Sequence, residues 1–146
     1  MTHIADSAFK SCKQLKKVEF ERDSELNMIE NNAFEQSAIE KITIPLHVTH
    51  IDDYAFSKCQ QLKIVEFANN SELKYIEKRA FDRSSIESLF IPPLVTNIDP
   101  EAFSQCNKLQ IIELSNNSEL ENFDAFLVLK KITIFMIPSE LRNRFS

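Results

Sequence analysis

Residues 50–73 read His50-Ile51-Asp52-Asp53-Tyr54-Ala55-Phe56-Ser57-Lys58-Cys59-Gln60-Gln61-Leu62-Lys63-Ile64-Val65-Glu66-Phe67-Ala68-Asn69-Asn70-Ser71-Glu72-Leu73. In Lys63–Phe67 the apolar residues Val65 and Phe67 alternate with Ile64 and Glu66, the period of a short strand. Asn69-Asn70-Ser71 has the composition of a turn. The segment before the strand is clearest in its counterpart Ile98-Asp99-Pro100-Glu101-Ala102-Phe103-Ser104-Gln105-Cys106. There Asp99 is placed to cap a helical turn, Pro100 suits its first position and Glu101 its positive end. Ala102, Phe103 and Cys106, spaced three and four apart, then face one side. Strand, turn and helical turn make one coil.

The coil repeats. Residues 3–26, 50–73 and 97–120 align without gaps, and nine of their 24 columns are identical, among them Ala8/Ala55/Ala102, Phe9/Phe56/Phe103, Cys12/Cys59/Cys106 and Leu15/Leu62/Leu109. The intervening 27–49 and 74–96 match each other in 11 of 23 columns and share the same skeleton, with Ile29, Ala33, Phe34 and Ile39 answered by Ile76, Ala80, Phe81 and Ile86. Residues 121–146 form a shortened, degraded sixth copy. A single coil buries too little apolar surface to offset the entropy of ordering some two dozen residues, so it must be covered by its neighbours. The expectation is one domain over 1–146. It is a leucine-rich-repeat solenoid of six coils with a short-stranded parallel sheet on one face and turns and short helical segments on the other.

Composition narrows the function. The chain has no glycine, which excludes the phosphate-cradling, dinucleotide and nucleophile-elbow motifs that place Gly where backbone meets ligand. A net charge of −5 argues against nucleic acid as a partner. No stretch reaches the roughly 18–20 apolar residues of a membrane span. The opening Met1-Thr2-His3-Ile4-Ala5-Asp6 lacks the basic and apolar regions of a signal peptide.

The pattern Ile-x-x-x-Ala-Phe-x-x-Cys-x-x-Leu-x-x-Val/Ile-x-Phe/Leu, with Ala55-Phe56, Cys59, Ile91-Pro92 and Val95-Thr96 as its best examples, resembles the BspA-like (Treponema-type) leucine-rich repeat family. The resemblance runs from Met1 to about Pro138. It implies a curved parallel sheet backed by short helical turns. It also implies a non-catalytic module for binding host or matrix proteins at a cell surface or after secretion. The alternative is an intracellular scaffold or self-assembling repeat protein, consistent with the missing signal and with thiols that look reduced. The family often carries Gly after the leading Ile, where this chain has Ala5, Glu30, Asp52, Glu77 and Asp99.

Several side chains invite a functional reading. Cys12, Cys59 and Cys106 recur two coils apart, roughly 9–10 Å at the spacing of stacked strands, beyond disulfide reach. They are expected to form a buried, unreactive ladder. His47 and His50 lie three apart beside Asp52 and Asp53, but the third pair has Asn97 at the place of His3 and His50, so they read as turn residues and no metal is assigned. No acid–base pair converges, and neither a cofactor nor catalysis is expected. Asn69 and Asn116 stand in glycosylation patterns at equivalent turns.

Outward residues of successive strands are Lys17/Glu19, Lys41/Thr43, Ile64/Glu66, Ser88/Phe90, Ile111/Glu113 and Lys131/Thr133. An exposed Phe90 diagonal to Ile64 and Ile111, with Glu66 and Glu113 beside it, resembles an apolar anchor with a polar rim. These five are the candidate partner-binding residues. The polar Ser139–Arg144 reads as a cap. The first coil has none, which points either to a piece cut from a longer array or to a first coil covered by another molecule; on the second reading its bare edge (Ile4, Phe9 and Val18) is expected to support homo-oligomer formation.

Overall fold

The computed structural model describes residues 1–127, 129 and 132–137, the last three by backbone alone. The chain winds as a solenoid of about six coils with every strand pair parallel. The second to fifth coils each contribute two short extended segments. One set, β1 (His3–Ile4), β2 (Met28–Ile29), β4 (His50–Ile51), β6 (Tyr75–Ile76) and β8 (Asn97–Ile98), forms a five-stranded ladder in that order. The longer set is β3 (Lys41–Ile44), β5 (Ile64–Phe67), β7 (Ser88–Ile91), β9 (Ile111–Ser115) and β10 (Thr133–Ile137). It pairs as β3–β5 and as β7–β9–β10. In the first coil the matching segment is reduced to a single bridge, Lys17 to Lys41.

Alternation along the strands works as the sequence requires. Ile42, Ile44, Val65, Leu89, Ile91, Ile112 and Leu114 are buried, while Lys41, Thr43, Ile64, Glu66 and Ser88 are exposed. The centre of the core is a column of phenylalanines. Phe9, Phe34, Phe56, Phe81 and Phe103 stack with ring centroids 5.3, 5.1, 5.3 and 5.7 Å apart and planes within 9° of parallel. Phe126 closes the column at 6.0 Å, tilted by 33°. From the second coil on, each Phe follows a buried Ala (Ala33, Ala55, Ala80, Ala102, Ala125), whose small side chain lets the backbone turn tightly around the ring; Ala8, before Phe9, is exposed.

The helical turns expected before each strand do not form, and the one short helix among the described residues is α1 (Asp124–Leu127) in the last coil. The reason lies in how N–H groups are shared. In the third coil, the N–H groups of Ala55, Ser57 and Cys59 bond back to the carbonyls of Asp52, Tyr54 and Phe56, while those of Tyr54, Phe56 and Lys58 reach the carbonyls of Lys78, Ala80 and Asp82 in the next coil. Every second donor therefore links coils, where a helix would keep all of them within the segment. Tyr54 and Lys58 adopt φ of 61° and 58°, the third position of a type II turn. Ten non-glycine residues among those described are in this left-handed region, with Ser11, Gln36, Lys58, Arg83 and Gln105 at the same place in five coils. Each is held there against a cost of about 1–2 kcal/mol. Asp99 does cap its turn, accepting the N–H of Glu101 at 2.8 Å. Ala5, Glu30, Asp52, Glu77 and Asp99 are not in the left-handed region, so a side chain after the leading Ile carries no such cost.

The cysteines are only in part the protected ladder that was expected. Cys59 and Cys106 are buried, and their thiols donate to the carbonyls of Phe34 and Phe81, both at 3.0 Å. Ser37 and Ser84 sit in the same column, 3.6 and 3.5 Å from the two sulfurs. Burial pushes the Cys59 thiol up to about 11 and raises that of Cys106. Cys12, in the first of the described coils, is half-buried. A thiol reagent applied at neutral pH without denaturant is expected to label Cys12 first and to reach Cys59 and Cys106 only on unfolding; mass spectrometry showing all three modified at one rate would contradict this arrangement.

Candidate functional site

The outer face of the longer strands presents the five candidate residues in a defined register. Ser88 lies opposite Ile111 and Phe90 opposite Glu113, which leaves Phe90 diagonal to Ile111. On the other ladder Lys41 faces Ile64 and Thr43 faces Glu66. Ile64 is 46% exposed, and Glu66 is exposed with its carboxylate held by Lys41 Nζ at 3.6 Å and Thr43 Oγ1 at 3.5 Å. Phe90 is half-buried, as are Ile111 and Glu113, which corrects the expectation of an exposed ring: cross-strand neighbours cover part of it. Glu19, two coils from Glu66, is paired with Lys17 at 2.7 Å, so these acidic residues are locally neutralised. Lys131 and the expected cap Ser139–Arg144 lie outside the described residues.

The other candidates separate. His47 Nδ1 lies 3.2 Å from Glu72, whereas His50 stacks against Tyr75 at 4.8 Å and meets Thr49 Oγ1 at 2.8 Å. His3 pairs with Glu30 at 2.8 Å. No group of three His, Cys, Asp or Glu among the described residues is disposed to hold a metal ion. Asn69 and Asn116 are exposed. The serine of each glycosylation pattern has a structural duty, since Ser71 and Ser118 accept the N–H groups of Leu73 and Leu120 at 3.2 Å, as Ser24 does for Leu26.

Sequence reasoning passed over one feature. Register along the five-stranded ladder brings Glu30, Asp52, Glu77 and Asp99 into one column, each immediately after a paired Ile. Burial raises the Asp52 and Glu77 carboxyls above their ordinary values, and like charges reinforce it: Asp53 and Glu30 for Asp52, and Asp53, Asp52 and Asp99 for Glu77. His50 opposes the shift at both, and His3 at Asp52. The signal was present in the sequence as an acidic residue after four of the five leading Ile residues, but its meaning depends on stacking. A raised folded pKa means the native state holds protons more tightly than the unfolded chain. The associated stability is then fully present below the unfolded carboxylate pKa, about 4, and is lost as pH rises through the folded value. Asp52→Asn and Glu77→Gln are each expected to raise the melting temperature at pH 7 and to change it little near pH 4; equal shifts at both pH values would remove charge crowding as the cause.

Comparison with known proteins agrees with this geometry. A six-copy model of the BspA type leucine rich repeat region matches residues 1–110 and again 27–144. No curated protein matches the sequence. Among solved structures, the pneumococcal vaccine antigen PcpA is similar with a TM-score of 0.74 and 30% identity over 77% of this chain and 28% of that one. A leucine rich cell surface protein from Faecalibacterium prausnitzii A2-165 is similar with a TM-score of 0.57 and 26% identity over 81% of this chain and 37% of that one. The chain thus spans roughly a third of either neighbour's length. With its Ala-Phe spine, its alternating Cys and Ser column and its parallel coils all in the matched residues, the chain belongs to the BspA-type leucine-rich repeat family.

Proposed function

We propose that the chain is a non-catalytic protein-binding module that engages its partner through the outer face of the longer strands, at Ile64, Glu66, Phe90, Ile111 and Glu113. The observation that carries this reading is the β7–β9 register, which sets an aromatic ring directly beside a carboxylate and diagonal to an isoleucine, with Ile64 46% exposed on the neighbouring ladder. A half-buried ring already held by its neighbours loses little side-chain freedom on docking, and apolar centres within polar rims carry most of the energy of protein contacts. The two similar structures are a vaccine antigen and a cell surface protein, which supports display at a surface. No helix among the described residues is long and apolar enough to cross a membrane.

The outer side of the first coil supports self-association as a second property. Phe9 stacks on Phe34 by one face only and is 38% exposed. Leu15, Val18 and Phe20 are only partly buried. Ile4, expected in this edge, is 4% exposed and does not contribute.

Two experiments test these readings. Affinity capture with wild type beside Phe90→Thr and Ile64→Lys is expected to show at least about a tenfold loss of partner for both variants with unchanged circular dichroism; full retention removes the sheet face from the argument. Sedimentation of the wild type is expected to show dimer growing with concentration and Phe9→Glu to remain monomeric; monomer throughout for wild type counts decisively against the edge.

A further inference from the structure

A one-residue difference in coil length builds a groove on another flank of the solenoid. Between the inward Cys or Ser and the next inward Leu or Ile, the third and fifth coils carry two residues, Gln60-Gln61 and Asn107-Lys108, while the fourth carries Ser85 alone. The longer coils stand proud of the shorter one between them. The result is an open groove of about 530 Å³ lined by Gln60, Arg83, Ser85, Gln105, Asn107 and Lys108. Its floor is tied to one wall: Ser85 donates through Oγ to the Gln60 carbonyl at 2.6 Å and through its N–H to Leu62 at 3.0 Å.

The lining has a definite chemistry. Lys108 has no carboxylate partner among the described residues. Arg83 Nε is 3.9 Å from Asp82, whose carboxylate is only 5% exposed and accepts from Ser57 Oγ at 3.4 Å. No acidic residue among those described lines the groove, so two cations face solvent together in a chain of net charge −5. Arg83 and Gln105 are two of the residues held at positive φ, 61° and 58°, which aims long polar side chains where glycine would offer none.

Dimensions and hydrogen-bonding groups narrow the ligand. The walls are two coil steps apart, roughly 9–10 Å, which leaves one strand spacing of about 4.8 Å on either side of an inserted chain. Gln60, Gln105 and Asn107 each offer an amide donor and acceptor, the complement of alternating N–H and C=O groups along an extended backbone. Arg83 and Lys108 supply charge-assisted bonds for carboxylates. There is no aromatic platform of the kind sugar rings use. We propose that this groove binds an extended acidic peptide segment of a partner protein, its main chain on the amides and its carboxylates on Arg83 and Lys108. The site shares no residue with the sheet face, so the two readings stand or fall separately.

The probe is a fluorescein-labelled octapeptide of alternating Glu and Ser, titrated by anisotropy against the whole chain, with a Lys–Ser octapeptide and a heparin-derived sulfated oligosaccharide as comparators. The Glu–Ser peptide is expected to bind with Kd below about 1 mM and to weaken severalfold as salt rises to about 0.3 M. Arg83→Gln with Lys108→Gln is expected to cost at least about tenfold, as two charge-assisted contacts require, with an unchanged melting curve. A Gln inserted between Ser85 and Ile86 should abolish binding with both cations retained, whereas Phe90→Thr should leave it intact. No binding at about 1 mM, equal binding of the Lys–Ser peptide, binding of the sulfated oligosaccharide alone, or wild-type affinity in the double variant each overturns the proposal.

Discussion

Everything in this molecule is subordinate to a constant step between coils. Parallel strands stack at about 4.8 Å, and the phenylalanine rings follow at 5.1–5.7 Å, close enough for offset stacking to add to their burial. A column at this pitch holds phenylalanine in all six coils. The same constancy is visible in the alanine before each Phe and in the Cys–Ser alternation, where a thiol or hydroxyl of similar volume fills each site. Where the sixth coil departs from the repeat, the step lengthens to 6.0 Å and the ring tilts by 33°.

The step also dictates how the backbone turns. In the turns of the first four coils about half of the N–H groups are committed to the next coil, so the segment cannot close helical bonds and instead folds as successive turns with left-handed residues. Other chains would place glycine at such positions. This one uses Ser, Asn, Tyr, Gln, Lys and Arg, which makes each turn more costly to form and turns it into a row of outward polar groups.

Two outward surfaces follow, with different origins. The sheet face is built by alternation within strands, and its apolar content is concentrated at Ile64, Phe90 and Ile111. The polar groove is built by unequal coil lengths, because a shorter coil between longer ones recedes while its ends stay in register. Neither encloses its contents.

How much of this was readable in advance can be judged residue by residue. The inward set, the coil boundaries and the Phe spine are properties of a periodic pattern, and periodicity survives without coordinates because each coil meets an environment made by copies of itself. The turn conformation is where local signals fail: Asp99, Pro100 and Glu101 are sound signals for a helix start, yet in the equivalent turns of the other coils the competing demand comes from carbonyls 21 or 24 residues away. The half-burial of Phe90, the crowding of Asp52 and Glu77, and the groove over Ser85 have the same origin. Local sequence determined which side chains point inward and how often. Tertiary stacking alone decided which outward ones become neighbours, because those neighbours belong to different coils and meet only when the ladder forms.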